Sequence, residues 1–173
     1  MVSLKKIRSK CSEVIKQIQA IYLQDNRPWV VGYSGGKDST AVIQLIFEAL
    51  TKLPPERLQK DVYVLSSDTL VETPVIIDFL NHNLDLIAGV AQQLHLPIRT
   101  IKVKPELEKS FWVLLIGKGY PTPRQKFRWC TDRLKIEPTN RFILDRISEY
   151  GEVIMVLGVR KAESPSRNQV LKN

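Results

Sequence analysis

Trp29-Val30-Val31-Gly32-Tyr33-Ser34-Gly35-Gly36-Lys37-Asp38-Ser39-Thr40 is the stretch whose reading decides this chain. An apolar run stops at Ser-Gly-Gly-Lys-Asp-Ser, and a second apolar run follows from Ala41 to Leu50. The first run suits a short strand buried on both faces, over about 29–34. The second suits a helix over about 39–52, ended by Leu53-Pro54-Pro55. Two adjacent glycines let the backbone between them turn sharply and approach a ligand. The first turn of the helix offers free N–H groups and the positive end of its dipole. Lys37 and the hydroxyls of Ser34, Ser39 and Thr40 add donors that suit a phosphate. Strand, loop and helix together predict a phosphate cradle.

It is not a Walker A loop. That pattern needs Gly, four intervening residues, then Gly-Lys-Ser/Thr, whereas Lys37 is followed here by Asp38 and no Gly stands at that spacing before Gly36.

On either side of the cradle, strands alternate with helices. Residues 3–24 carry Leu4, Ile7, Cys11, Val14, Ile15, Ile18, Ile21 and Tyr22 at spacings of three and four, which predicts an amphipathic helix. Cys11 lies on that stripe and reads as core. Further strands are predicted at 61–67, 98–103 and 152–159. A long helix is expected from Thr73-Pro74 to about His95, with Thr73 as N-cap and Pro74 in the first turn. His82 and His95 fall in that helix and take no role. Shorter helices are expected at 105–116 and 138–150, separated by a polar, basic loop from Gly117 to Arg133. The alternation predicts an α/β fold, a doubly wound, mostly parallel sheet with helices on both faces, forming a single domain over 1–173. Ligands in such sheets bind beyond the carboxyl ends of the strands. The polar motifs fall there, at 34–40, 68–73 and 158–167.

Bulk properties agree. The chain has 173 residues, 43% of them apolar and 25% charged, in the range of a globular protein. No apolar run is long enough for a membrane span, and the N-terminus is too charged for a signal peptide. Two cysteines, Cys11 and Cys130, make no disulfide framework, which points to a reducing cytoplasm. A net charge of +8 suits a nucleic-acid or polyphosphate partner.

Three more strings carry chemistry. In Ser67-Asp68-Thr69-Leu70-Val71-Glu72-Thr73-Pro74, Asp68 is placed to hold a ribose hydroxyl, a metal or a substrate amine, or to cap the next helix. In Arg128-Trp129-Cys130-Thr131-Asp132-Arg133-Leu134-Lys135-Ile136-Glu137-Pro138, one cysteine stands among cations, which favour a thiolate. In Gly158-Val159-Arg160-Lys161-Ala162-Glu163-Ser164-Pro165-Ser166-Arg167, Arg160 and Arg167 are candidate phosphate clamps and Glu163 an orienting carboxylate.

SGGKDST, SDTLVETP, RWCTDRLKIEP and GVRKAESPSR, in that order, resemble the phosphoadenylylsulfate (PAPS) reductase branch of the PP-loop ATP pyrophosphatase superfamily, whose fold is that of the adenine nucleotide alpha hydrolases. Within the branch, YSGGKDSTA, DTLVETP and RWCTDRLKIEPTNRFI are most similar to the DNA phosphorothioation sulfurtransferases of the DndC type and their SspD relatives. Those proteins are longer and carry further cysteines for an iron–sulfur cluster, so the resemblance implies an N-terminal portion with the cluster-binding region absent.

The resemblance also implies an activity. ATP and Mg2+ would bind with the phosphates on Ser34, Gly35, Gly36, Lys37, Asp38, Ser39 and Thr40. Asp68, Glu72, Lys135, Arg160, Glu163 and Arg167 would complete the nucleotide site. Lys37, Asp38, Cys130 and Arg160 would take part in catalysis. A DNA backbone oxygen would attack the α-phosphate and release pyrophosphate. Sulfur from a cysteine desulfurase would then displace AMP, with other phosphorothioation proteins as partners. Cys130 would either ligate the cluster or carry sulfur. Three alternatives stay open. One is PAPS reductase, from which Asp68-Thr69-Leu70 departs where that enzyme has Asp-Thr-Gly. The others are a non-catalytic ATP- and DNA-binding subunit and a tRNA-thiolating enzyme, the last usually marked by Cys-x-x-Cys pairs.

Overall fold

The computed structural model describes residues 4–124 and 127–160. The elements follow the alternation: α1 (Leu4–Leu23), β1 (Trp29–Gly32), α2 (Lys37–Leu50), β2 (Val62–Ser67), α3 (Pro74–Gln93), β3 (Ile98–Val103), α4 (Trp129–Thr131), α5 (Glu137–Tyr150) and β4 (Ile154–Val156). All strand pairs are parallel, in the order β3-β2-β1-β4. The fold is therefore α/β, with the sheet wholly rather than mostly parallel.

The apolar runs explain the layers. Val30, Val31, Val62 and Val64 are fully buried, as strands covered on both faces require. One face packs Val31, Tyr33, Val62 and Val64 against Tyr22 of α1, Ile43, Ile46 and Leu50 of α2, and Leu84 and Ala91 of α3. The other packs Val30, Tyr63 and Leu65 against Phe142 and Ile143 of α5. Right-handed crossovers put α2 and α3 on one side as the chain steps from β1 to β2 to β3. The chain then crosses back to β4 on the far side of β1, with α5 on the opposite face. β1 therefore lies at the topological switch, where a crevice opens beyond the strand ends.

Four expectations are corrected. The helix expected at 105–116 is a 3-10 turn at Leu107–Lys109 and a π-helical turn at Val113–Gly117. Buried Ser110, with an extended backbone, separates the two. The expected loop ends early: α4, a π-helical segment at Asp132–Ile136 and α5 continue into one another from Trp129. Trp129 anchors that start by stacking on Phe111 at 5.4 Å and donating from Nε1 to Pro121 O at 2.8 Å. β4 spans only Ile154–Val156, shorter at both ends than the expected 152–159, and its pairing with β1 stops at Val31. On α1, only part of the apolar stripe is covered. Ile15 and Tyr22 are buried, Cys11 is half-buried, and Ile7, Val14 and Ile21 remain exposed. Among the described residues, no helix is long and apolar enough to cross a membrane.

Candidate nucleotide site

The loop after β1 is built to present backbone donors. Gly35 has φ +72, a left-handed conformation that glycine adopts without strain. A Cβ there would meet Phe79 and Leu80 of α3 at 3.5 Å, ordinary contact distance, so the backbone conformation rather than space asks for glycine. Gly36 is the N-cap of α2 and stays extended. Its carbonyl accepts hydrogen bonds from the hydroxyls of Ser39 and Thr40, each at 2.9 Å. The Ser39 hydroxyl also lies 3.3 Å from both Ser34 N and Ser34 Oγ. Two of the three hydroxyls that the sequence offers to a phosphate therefore brace the loop itself. The N–H groups of Lys37, Asp38 and Ser39 have no carbonyl one turn back, as at any helix start.

β4 closes the loop from the other side. A Cβ on Gly158 would stand 2.9 Å from the carbonyl oxygen of Asp38, so only glycine lets the chain pass this close. Beyond it, Arg160 Nε donates to Asp38 Oδ2 at 2.9 Å. This ion pair joins two residues that lie far apart in sequence and that the motifs single out separately.

The turn after β2 is largely self-satisfied. Both oxygens of Glu72 are engaged by Thr69, one by its hydroxyl at 2.6 Å and one by its backbone N–H at 3.2 Å. Glu72 therefore holds the turn. Asp68 is buried, and its Oδ1 accepts from Leu70 N at 3.1 Å. Leu70 itself has φ +63, the left-handed region that glycine occupies freely. The departure from Asp-Thr-Gly thus places a leucine where the backbone suits glycine. Thr73 is the N-cap of α3, as expected, but its side chain makes no capping hydrogen bond.

These pieces surround one cleft of about 680 Å³, within the range of small-molecule sites. Ser34, Gly36, Lys37, Asp38, Ser39, Asp68, Glu72 and Lys135 all line it. Lys135 comes from the π-helical segment before α5, a type of irregularity frequent at functional sites. Nearby, Glu137 accepts from both Lys109 and Arg133, which together hold its carboxyl below the usual range. Apolar lining comes from Ile76, Phe79 and Leu80 on one side and Met155 and Leu157 on the other.

Cys130 is not brought into this lining. It is half-buried on α4, and the adjacent Arg133 is paired with Glu137. Glu163 and Arg167 lie outside the described residues. Among the described residues, no group of three His, Cys, Asp or Glu could hold a metal. Gly158, Asn81 and Lys102 also line the cleft without having been singled out as functional, the last two on the side away from the phosphate loop. The signal for Lys102 was its place at the carboxyl end of a predicted parallel strand.

A family model for the phosphoadenosine phosphosulfate reductase domain matches residues 28–171. The uncharacterized protein MJ0066 of Methanocaldococcus jannaschii is 30% identical over 150 residues, covering 87% of this chain and 26% of that relative. A second uncharacterized protein of the same organism, MJ0973, is 26% identical over 167 residues, covering 96% of this chain and 34% of the relative. The chain thus spans between a quarter and about a third of the length of the curated relatives it matches.

Proposed function

Since the chain belongs to the phosphoadenosine phosphosulfate reductase domain family, we propose that it forms the nucleotide-binding part of an ATP-dependent sulfurtransferase that adenylates a DNA backbone phosphate. The supporting observation is that the Ser34–Ser39 loop, Asp68 and Lys135 open onto one cleft, so a triphosphate and a second substrate can meet there. DNA as acceptor rests on the resemblance of SDTLVETP and RWCTDRLKIEPTNRFI, and it agrees with the net charge of +8.

In this reading the triphosphate lies on the N–H groups at the start of α2, with Lys37 beside it. A non-bridging oxygen of the phosphodiester attacks the α-phosphorus, and the bond to the bridging oxygen of the β-phosphate breaks. Pyrophosphate leaves, and Lys37 and the helix start take up its growing charge. Arg160, held by Asp38, adds a cation at the rim. The outer sulfur of a cysteine desulfurase persulfide then attacks the activated DNA phosphorus and displaces AMP, and a second thiol attacks the inner sulfur of the resulting P–S–S–R linkage, so that the phosphorothioate leaves and the two thiols end as a disulfide.

Magnesium would come with the nucleotide and neutralise charge on its phosphates, and Asp38, whose Oδ2 pairs with Arg160, has its other carboxylate oxygen to offer it. An iron–sulfur cluster does not fit the described residues, because it needs about four thiolates and they hold two cysteines, Cys11 on α1 and Cys130 on α4, neither of which lines the cleft. No step is routed through one.

The test is product analysis with α-labelled ATP, magnesium and DNA. AMP with matching pyrophosphate is the expected result. ADP would overturn the reading. Sulfite released from PAPS and a thiol without ATP would put a reductase in its place. ATP binding without turnover, also seen in the full-length protein, would leave a binding subunit.

A further inference from the structure

The cleft holds a second set of cations away from the phosphate loop. β3 is two strands from β1, roughly 10 Å across the sheet. Lys102 of β3 lines the cleft, and its ammonium donates to Asn81 Oδ1 of α3 at 2.7 Å. Asp68 Oδ2 lies 4.0 Å from Lys102 Nζ and 3.5 Å from Lys104 Nζ. One buried carboxylate oxygen thus faces two ammonium groups. Glu72, the neighbouring carboxylate, is engaged by Thr69. Lys135 lines the same cleft. Lys102 and Lys135 match Asp68 and Glu72 in number along this part of the lining, and Lys104, outside the lining, brings a third cation to Asp68.

A second observation points to a ligand. Ser66 is the register partner of Lys102, so the two side chains leave the sheet on the same face. Ser66 lines the cleft, is 2% exposed, and its Oγ has no hydrogen-bond partner among the described residues. A buried hydroxyl without a partner is unusual in a folded protein, and a bound acceptor would satisfy it. Lys102, Lys104, Asn81 and Ser66 lie outside the motif strings that mark the family.

We propose that Lys102, Lys104 and Ser66, with Lys135 nearby, form a second oxyanion subsite for the tetrahedral phosphate or sulfate group of the second substrate. It is distinct from the loop that takes the nucleotide phosphates. Asp68 and Asn81 are positioning residues that hold the ammonium groups in place. The inference rests on the reading that the nucleotide occupies the Ser34–Ser39 loop.

The experiment titrates the unvaried protein, loaded with magnesium and a non-hydrolysable ATP analogue, with inorganic sulfate, inorganic phosphate and a short DNA oligonucleotide. The same titrations use a Lys102→Gln/Lys104→Gln double variant and a Lys102→Arg variant. Both lysines are partly solvent-exposed, each glutamine keeps an amide N–H that can donate to the buried Asp68 carboxylate, and Lys102→Arg keeps the charge as the control for folding. The double variant is expected to weaken oxyanion affinity about tenfold while the ATP analogue binds as before, and Lys102→Arg to retain it. Oligonucleotide binding that sulfate competes away and that the double variant weakens assigns the subsite to a phosphodiester. Sulfate binding that the double variant weakens, with oligonucleotide binding unaffected by either sulfate or the variant, assigns it to a free oxyanion. Equal oxyanion affinity in the parent and the double variant overturns the subsite, as does failure of all three probes to bind the parent. Failure of the ATP analogue to bind the parent would instead count against the nucleotide reading.

Discussion

Lys60 and Lys102 stand at opposite ends of the same sheet, and their surroundings differ in kind. Lys60, at the amino end, has a side chain only 4% exposed. Its ammonium donates to Asp25 at 3.1 Å and lies over the rings of Tyr22 and Trp29 at 4.9 and 5.3 Å. Tyr22 donates in turn to the Lys60 carbonyl at 2.9 Å. Burial pulls the Lys60 ammonium below the usual lysine range, against the pull of Asp25. The amino end is thus a closed staple joining α1, β1 and the approach to β2. At the carboxyl end, Lys102 shares Asp68 with Lys104 beside a hydroxyl without a partner, and Leu70 sits in a left-handed conformation. One lysine is surrounded so that it stabilises the fold. The other is held where a ligand can reach it.

Breaking the staple gives the largest expected effect. Lys60→Ala removes a buried cation and the stem packed on two rings, and should lower the unfolding free energy by about 3 kcal/mol in urea titration. Nucleotide affinity should not change. A loss below about 0.5 kcal/mol, typical of ordinary surface positions, would show that the amino end is no staple.

Lys37→Ala should do the reverse. ATP affinity should fall about tenfold or more, as for a lost charge-assisted hydrogen bond, with the urea midpoint unchanged. Unchanged affinity by calorimetry would remove the cradle from the nucleotide site.

Leu70→Gly sharpens the comparison on the carboxyl side. Relief of a left-handed leucine is worth about 1–2 kcal/mol, and the added freedom of glycine in the unfolded chain offsets about 0.5–1 kcal/mol. A net gain of about 0.5 kcal/mol is expected, and a clear loss would mean the leucine side chain packs more than it strains.

The last effect is confined to the acid side and is read as a change of slope. The Arg27 side chain, and then Lys60, hold the Asp25 carboxyl down from 3.8 to about 2. A carboxylate with a lowered folded pKa contributes stability that is present above its ordinary value and lost as pH falls through about 2. Asp25→Asn should flatten the stability profile over that window. An identical acid slope in parent and variant would assign the loss to other carboxylates.

Much of this was legible in local pattern. Continuous apolar runs marked β1 and β2, because strands covered on both faces need no alternation. Pro74 marked the first turn of α3. What misled was polarity near Trp129: a basic, proline-containing stretch reads as loop, yet the packing of Trp129 on Phe111 and Tyr120 starts a helix there. An apolar run such as 152–159 shows where a strand can form, while its paired length depends on the neighbouring strand's course, which leaves β4 paired only over Ile154–Val156. Lys102 was passed over because a lysine on a predicted strand has no signature of its own.

The sequence by itself determined the α/β alternation and the Ser34–Thr40 loop, since both follow from short-range periodicity and from residues adjacent in the chain. Tertiary structure alone decided that Arg160 pairs with Asp38, that Glu72 closes its own turn, and that Lys102 and Lys135 share a cleft with the loop while Cys130 does not line it. Those facts depend on strand order and crossover direction, which bring distant residues to one edge of the sheet.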